Sequence, residues 1–172
     1  MKFARWLPVA ALLVVSLALA AVKLDKLLPK SNEISGWAVV AGTLRTAYGI
    51  KALYGLYDGD VDALKKFGIK AGAQCMYKNG SKQTMLDIMQ VDSEPHAKAL
   101  FKSRTRGIKS TKAILREGGG GMMATANGVT FVYMWQGPFF CNVNVYGAST
   151  MDKLTAMKFA KNLSDHISKV TK

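Results

Sequence analysis

The chain has 172 residues, with 24 Lys plus Arg against 11 Asp plus Glu for a formal charge of +13, and 49% of its residues are apolar. That length suits one domain with an appendage and excludes an α/β barrel or a two-domain dinucleotide enzyme, while the composition excludes a disordered chain. Two cysteines cannot build a disulfide-dense scaffold or a four-cysteine zinc site, and His96 and His166 leave little material for a histidine-based active site.

The N-terminus carries two bases, Lys2 and Arg5, ahead of an apolar run from Trp6 to Val22 that only Pro8 and Ser16 interrupt. Ala18-Leu19-Ala20 then supplies the small-x-small pattern of a signal-peptidase site, with Ala21 as the new N-terminus. Residues 1–20 read as a signal peptide. Because the run sits at the short edge of a bilayer span, an uncleaved anchor over residues 1–22 is the alternative. No cysteine lies near the cleavage site, so lipid attachment there is excluded. The expected location is the periplasm or the cell surface, with anchoring to the inner membrane as the variant.

Residues 21–33 are basic and broken by Pro29 and Ser31, and read as a tether ahead of a single α+β domain at 34–172. Trp37 to Val40 is a short apolar run, either a first strand or a plug against the core. Leu53 to Phe67 is helical in composition, split near Gly55 and Asp58-Gly59-Asp60, with Asp60 as the expected cap of a second helix that Gly68 ends. Ile69 to Tyr77 alternates, Asn79-Gly80 signals a hairpin, Thr84 to Val91 returns, and Ser93 caps a helix running to about Thr105. Gly118 to Gly121 read as a flexible connector. A second hairpin follows, Val129 to Trp135 and Phe139 to Val145 about Gln136-Gly137-Pro138, then a helix capped by Ser149 or Thr150 running to about Val170. The expected fold is α+β: an antiparallel sheet of about four to six strands, two hairpin-plus-helix units, and helices on one face.

Certain segments carry a resemblance. Leu53-Tyr54, Asp58-Gly59, Asp62 and Phe67-Gly68-Ile69, with Ile34-Ser35-Gly36-Trp37, Asp87-Ile88-Met89, Asp92 to Ala97 and Tyr146-Gly147, resemble an exported bacterial family known as a domain of unknown function, numbered 6599. The resemblance spans roughly residues 34–170. It departs at Asp60, where a second small residue is usual, and at Asp62, where Glu is usual. It implies an exported, compact α+β domain and lends no activity.

Asp58-x-Asp60-x-Asp62 has the opening spacing of a calcium loop, but Ala63 stands at the sixth position and Ile69 at the twelfth, so a helix-capping turn is the stronger reading and no metal is assigned. The methionines are scattered rather than clustered for copper, leaving Met122-Met123 in the glycine segment as the exposed pair. No nucleotide loop follows the glycines, and no cofactor is assigned. Cys75 and Cys141 on inward strand faces are a disulfide candidate if their strands are neighbours, with buried free thiols as the rival. Lys98, Lys102, Arg106 and Lys109 form a basic stripe suited to anionic lipid or acidic polysaccharide, without the motifs of specific nucleic-acid binding. No nucleophile elbow, zinc helix or paired-carboxylate motif is present, and no catalytic residue is assigned.

The expectation is therefore an exported, non-enzymatic binding or accessory domain of the bacterial envelope, meeting a small ligand or envelope partner through Tyr57, Asp58, Asp60, Asp62, Met122 and Met123. Two alternatives stay open: an envelope enzyme of unrecognised chemistry using Asp58, Asp62 and His96, and an N-terminally anchored scaffold subunit.

Overall fold

The computed structural model describes residues 22–109, 112–116 and 119–171, with 112–116 described for their backbone alone. The cleavage motif, most of the apolar run and Gly118 lie outside these residues. In chain order the elements are β1 (Ala38–Val39), β2 (Arg45–Tyr48), α1 (Ile50–Tyr57), α2 (Asp60–Lys65), β3 (Ile69–Asn79), β4 (Lys82–Val91), α3 (Glu94–Arg104), β5 (Lys112–Arg116), β6 (Gly119–Ala126), β7 (Val129–Gln136), β8 (Phe139–Val145) and α4 (Thr150–Val170). Among the described residues, no helix is long and apolar enough to cross a membrane.

The strands form one sheet in the order β1-β3-β4-β8-β7-β6-β5, with β2 also on β3, and every pair is antiparallel. The fold is α+β, and the two hairpin-plus-helix units are β3-β4-α3 and β7-β8-α4. The β4–β8 pairing joins them.

The sheet has eight strands where about four to six were expected: β1 falls in the run read as either a strand or a plug, and β2, β5 and β6 are additional. β1 and β2 are one edge strand interrupted between Val39 and Arg45. Thr43 bridges the gap, its hydroxyl donating to Val40 O at 2.7 Å and accepting from Met76 N at 3.1 Å. The glycine segment is no connector at its described positions: Gly119, Gly120 and Gly121 belong to β6. A Cβ on Gly119 would lie 2.3 Å from Trp135 O, and one on Gly121 2.6 Å from Tyr133 O, so these glycines let β7 approach.

Helices cover both faces, not one. β4 sends Leu86 and Ile88 to one side and Met89 and Val91 to the other, and a sheet apolar on both faces needs cover on both. On the first face, α4 buries Phe159, Ala160, Leu163 and Ile167 against Tyr77, Val132 and Val143. On the second, α1, α2 and α3 bury Leu53, Leu56, Val61, Leu64, Ala97 and Leu100. Residues 22–33 do not form the tether expected of them. Leu24, Leu27 and Leu28 are buried beside Ile34 and Trp37 in the α4-side core, so this segment is a strap. Tyr77 Oη donates to Pro29 O at 2.8 Å, and Leu24 N donates to Tyr48 Oη at 2.9 Å.

Local chemistry sets the element ends. Ser149 and Asp152 form a reciprocal capping box on α4, and Ser93 caps α3 by accepting from His96 N. α2 ends at Lys65, short of the expected Phe67, and Gly68, at φ +65°, lies in the turn between it and β3. Asp60 does not cap α2: Gly59 occupies that position, and the Asp60 carboxylate turns to Arg104. In the first hairpin Asn79 pairs with Lys82, so the turn centres on Gly80-Ser81, one residue beyond the Asn-Gly reading. The hairpin with both central φ angles positive is Asn127-Gly128.

Candidate functional site

Antiparallel pairing aligns one polar row on the helix-α1-to-α3 face of the sheet. Asp87 on β4 is opposite Gln74 on β3 and Asn142 on β8, and Asn142 is opposite Tyr133 on β7. Directly opposed residues share a face with Cβ atoms about 5 Å apart. Met85 and Asn144 pair in the adjoining row, with Phe131 next along. Rows further in are apolar: Met89, Phe140 and Trp135.

Tyr57, the last residue of α1, lies over this row. Its hydroxyl donates to Asp87 Oδ1 at 2.6 Å. Gly72 makes room for it, since a Cβ there would lie 2.4 Å from Tyr57 Oη. Burial pushes the Asp87 carboxyl up to about 7, with the Tyr57 hydrogen bond and the Arg104 charge opposing the rise. Tyr57 is held far above its ordinary value, first by burial and then by Asp87. Arg104, from the last turn of α3, pairs with Asp60 at 2.7 Å, and its charge also acts on Tyr57 and Tyr133. Asn142 Oδ1 and Asn144 Oδ1 are buried acceptors with no hydrogen-bond partner among the described residues. Beside the row, Ile108, Ala124, Ala126, Phe131 and Tyr133 line a cavity of about 440 Å³ with Lys109 at its edge. The Phe131 and Tyr133 rings are stacked with centroids 6.1 Å apart. The site thus offers apolar ring surface, two free amide acceptors and a carboxyl near its midpoint at neutral pH.

The structure sorts the sequence candidates. Tyr57 belongs to the site, and Asp60 reaches it through Arg104. Asp62 is held instead by Lys65 at 2.7 Å and the Tyr54 hydroxyl at 2.6 Å, and Asp58 is exposed at φ +45°. These aspartates therefore diverge to different partners rather than converging on one centre. Met122 and Met123 are not an exposed pair: both are buried in β6 and, as consecutive strand residues, point to opposite faces. Met122 opposes Tyr133 and so shares the face of the site, while Met123 belongs to the α4-side core.

Cys75 and Cys141 are free and buried. Strand β4 lies between β3 and β8, which places the two cysteines about 9.6 Å apart laterally at about 4.8 Å per strand, beyond a disulfide's reach. The neighbouring-strand premise of the disulfide fails. Burial raises both thiols, so neither is an activated nucleophile. The basic stripe is not one helical face either. The α3 helix ends at Arg104, Gly107 follows at φ +79°, and Arg106 and Lys109 lie beyond it. Lys98 Nζ sits 5.3 Å over the Trp135 ring. His96 pairs with Asp92 at 2.5 Å rather than with Asp58 or Asp62.

Asp87, Asn142, Asn144 and Arg104 were missed by the sequence reading. The alternation Cys141-Asn142-Val143-Asn144-Val145 was the available signal, and it reads equally as an ordinary solvent face. No protein-family model matches this chain, and no curated protein matches it. Among solved structures, the chain is similar to a GTP binding regulator from Thermotoga maritima, at 12% identity and a TM-score of 0.46, over 74% of this chain and 75% of that one. A likeness that loose carries no functional argument.

Proposed function

We propose that this protein is an exported, non-catalytic binding or accessory domain of the bacterial cell envelope, and that its ligand docks over the polar row between α1 and α3. The observation behind this reading is the pair of partnerless acceptors, Asn142 Oδ1 and Asn144 Oδ1, set beside a buried acid in an otherwise apolar layer. Such groups lower stability unless something hydrogen-bonds to them, which leaves these two available to a ligand's donors. The neighbouring cavity, with its stacked rings and Lys109, fits a small ligand that has an apolar body and hydrogen-bond donors. The export signal and the resemblance to the exported family numbered 6599 support the envelope setting.

The test is a thermal-shift screen of the chain against envelope lipids, glycans and metals, repeated on Asn142→Leu/Asn144→Leu. A ligand that raises Tm in the parent chain and not in the variant supports the reading. A screen without any shift, together with no partner co-purifying from envelope extract, contradicts it. Mass spectrometry of the native N-terminus tests export separately: a chain starting at Ala21 supports cleavage, and one retaining residues 1–22 in the membrane fraction supports the anchored form.

A further inference from the structure

On the opposite side of the sheet, the strap and the end of α4 border an open groove of about 580 Å³ whose lining includes Lys26, Lys30, Lys169, His166, Asn32 and Glu33. The strap is fixed here. His166 Nδ1 lies 3.0 Å from Leu27 O, and its Nε2 lies 2.6 Å from Glu33 Oε1.

Glu33 is the one acid on this wall, and both its oxygens are taken. Oε2 accepts from Lys30 N at 2.8 Å, and Oε1 accepts from Asn162 Nδ2 at 3.2 Å besides facing His166. None of Lys26, Lys30 and Lys169 forms an ion pair among the described residues. Three cations around one groove outweigh the Glu33 carboxylate and the half negative charge at the end of α4.

We infer that this strap groove is a binding site for a phosphate group. A dianion matches three ammonium groups that form no ion pair among the described residues and outnumber the single Glu33 carboxylate, and the Asn32 amide adds hydrogen-bonding capacity on the wall. Free phosphate and a phospholipid headgroup share this chemistry. The strap begins at Val22, where the apolar run ends, so a chain that kept its anchor would carry this groove close to the headgroup layer. The site stands on residues separate from the polar row and does not depend on its function.

The full chain in nonionic micelles at low salt tests this by titration calorimetry. One arm uses inorganic phosphate, and a second uses micelles doped with phosphatidylglycerol against phosphatidylcholine. Saturable binding in either arm is expected, and the arm that responds identifies the source. Lys30→Ala/Lys169→Ala should weaken binding about tenfold or more, while Lys51→Ala/Lys102→Ala on the opposite side of the sheet should leave it unchanged. All four lysines are exposed, so folding is preserved, and an unshifted Tm without phosphate checks this. No saturable binding in either arm overturns the inference. So does equal weakening by the two double variants, which would make the effect one of diffuse basic charge.

Discussion

The two faces of the sheet bury similar elements in different ways. The α4 face is built on aromatic packing: Phe159 meets Trp37 and Tyr77 edge to face, with centroids 5.3 and 5.2 Å apart, and the strap lies over the same layer. The α1-to-α3 face carries Asp87, Asn142 and Asn144 in its floor. Among the described residues both faces bury polar atoms without a partner, Asn142 Oδ1 and Asn144 Oδ1 on this face and Thr84 Oγ1 and Asn162 Oδ1 on the α4 side, so the contrast lies in how each face holds its acids. The carboxylates show the same contrast. On the α4 side, the Ser149 hydroxyl and Lys82 hold Asp152 below its ordinary value against the effect of burial. At Glu33 burial raises the value, and the Lys30 amide, Asn162 and His166 outweigh it to give a net lowering. Asp87 on the other face is raised by burial.

The largest effect expected from breaking this contrast is at Phe159. It is fully buried, and Phe159→Ala should cost about 3–5 kcal/mol in denaturant unfolding. Next is Tyr57→Phe, which removes the donor to Asp87 and leaves a buried acid without that partner, at a cost of about 1–3 kcal/mol.

The pH response sharpens the contrast further. Between about pH 4 and the folded value of about 7, native Asp87 keeps a proton that the unfolded chain releases, so its contribution makes stability fall as pH rises, by at most about 1.4 kcal/mol per pH unit, and level off above that window. Asp87→Asn should abolish this slope in urea titrations across the window. Asp152 has the opposite sign: its contribution is present above the ordinary carboxylate range and is lost as pH falls through its lowered folded value. Ser149→Ala, which opens the capping box, should cost about 1 kcal/mol at neutral pH and less in acid.

The sequence made legible whatever is decided locally. Ser93 and Ser149 cap their helices, and a turn at Gln136-Gly137-Pro138 was read where Gly137-Pro138 joins β7 to β8, because each depends on residues within a few positions. What it hid depends on partners far away in the chain. Leu24, Leu27 and Leu28 sit among lysines, and only the distant α4-side core shows that they are buried. Gly119 and Gly121 read as a loop until β7 is laid against them. Cys75 and Cys141 look bondable until β4 is found between their strands. For the site, Tyr57 was legible from its turn. Asp87 and Asn142 were not, because the row exists only in the register of four strands.

The most direct test of the contrast between the faces is Asn142→Leu/Asn144→Leu, measured for unfolding free energy and for the thermal shift given by any ligand or envelope partner of the parent chain. Removing two partnerless acceptors should leave stability unchanged or raised, and should abolish the ligand-induced shift. A variant that loses stability by about 2 kcal/mol or more while keeping its ligand response would show instead that the row is structural.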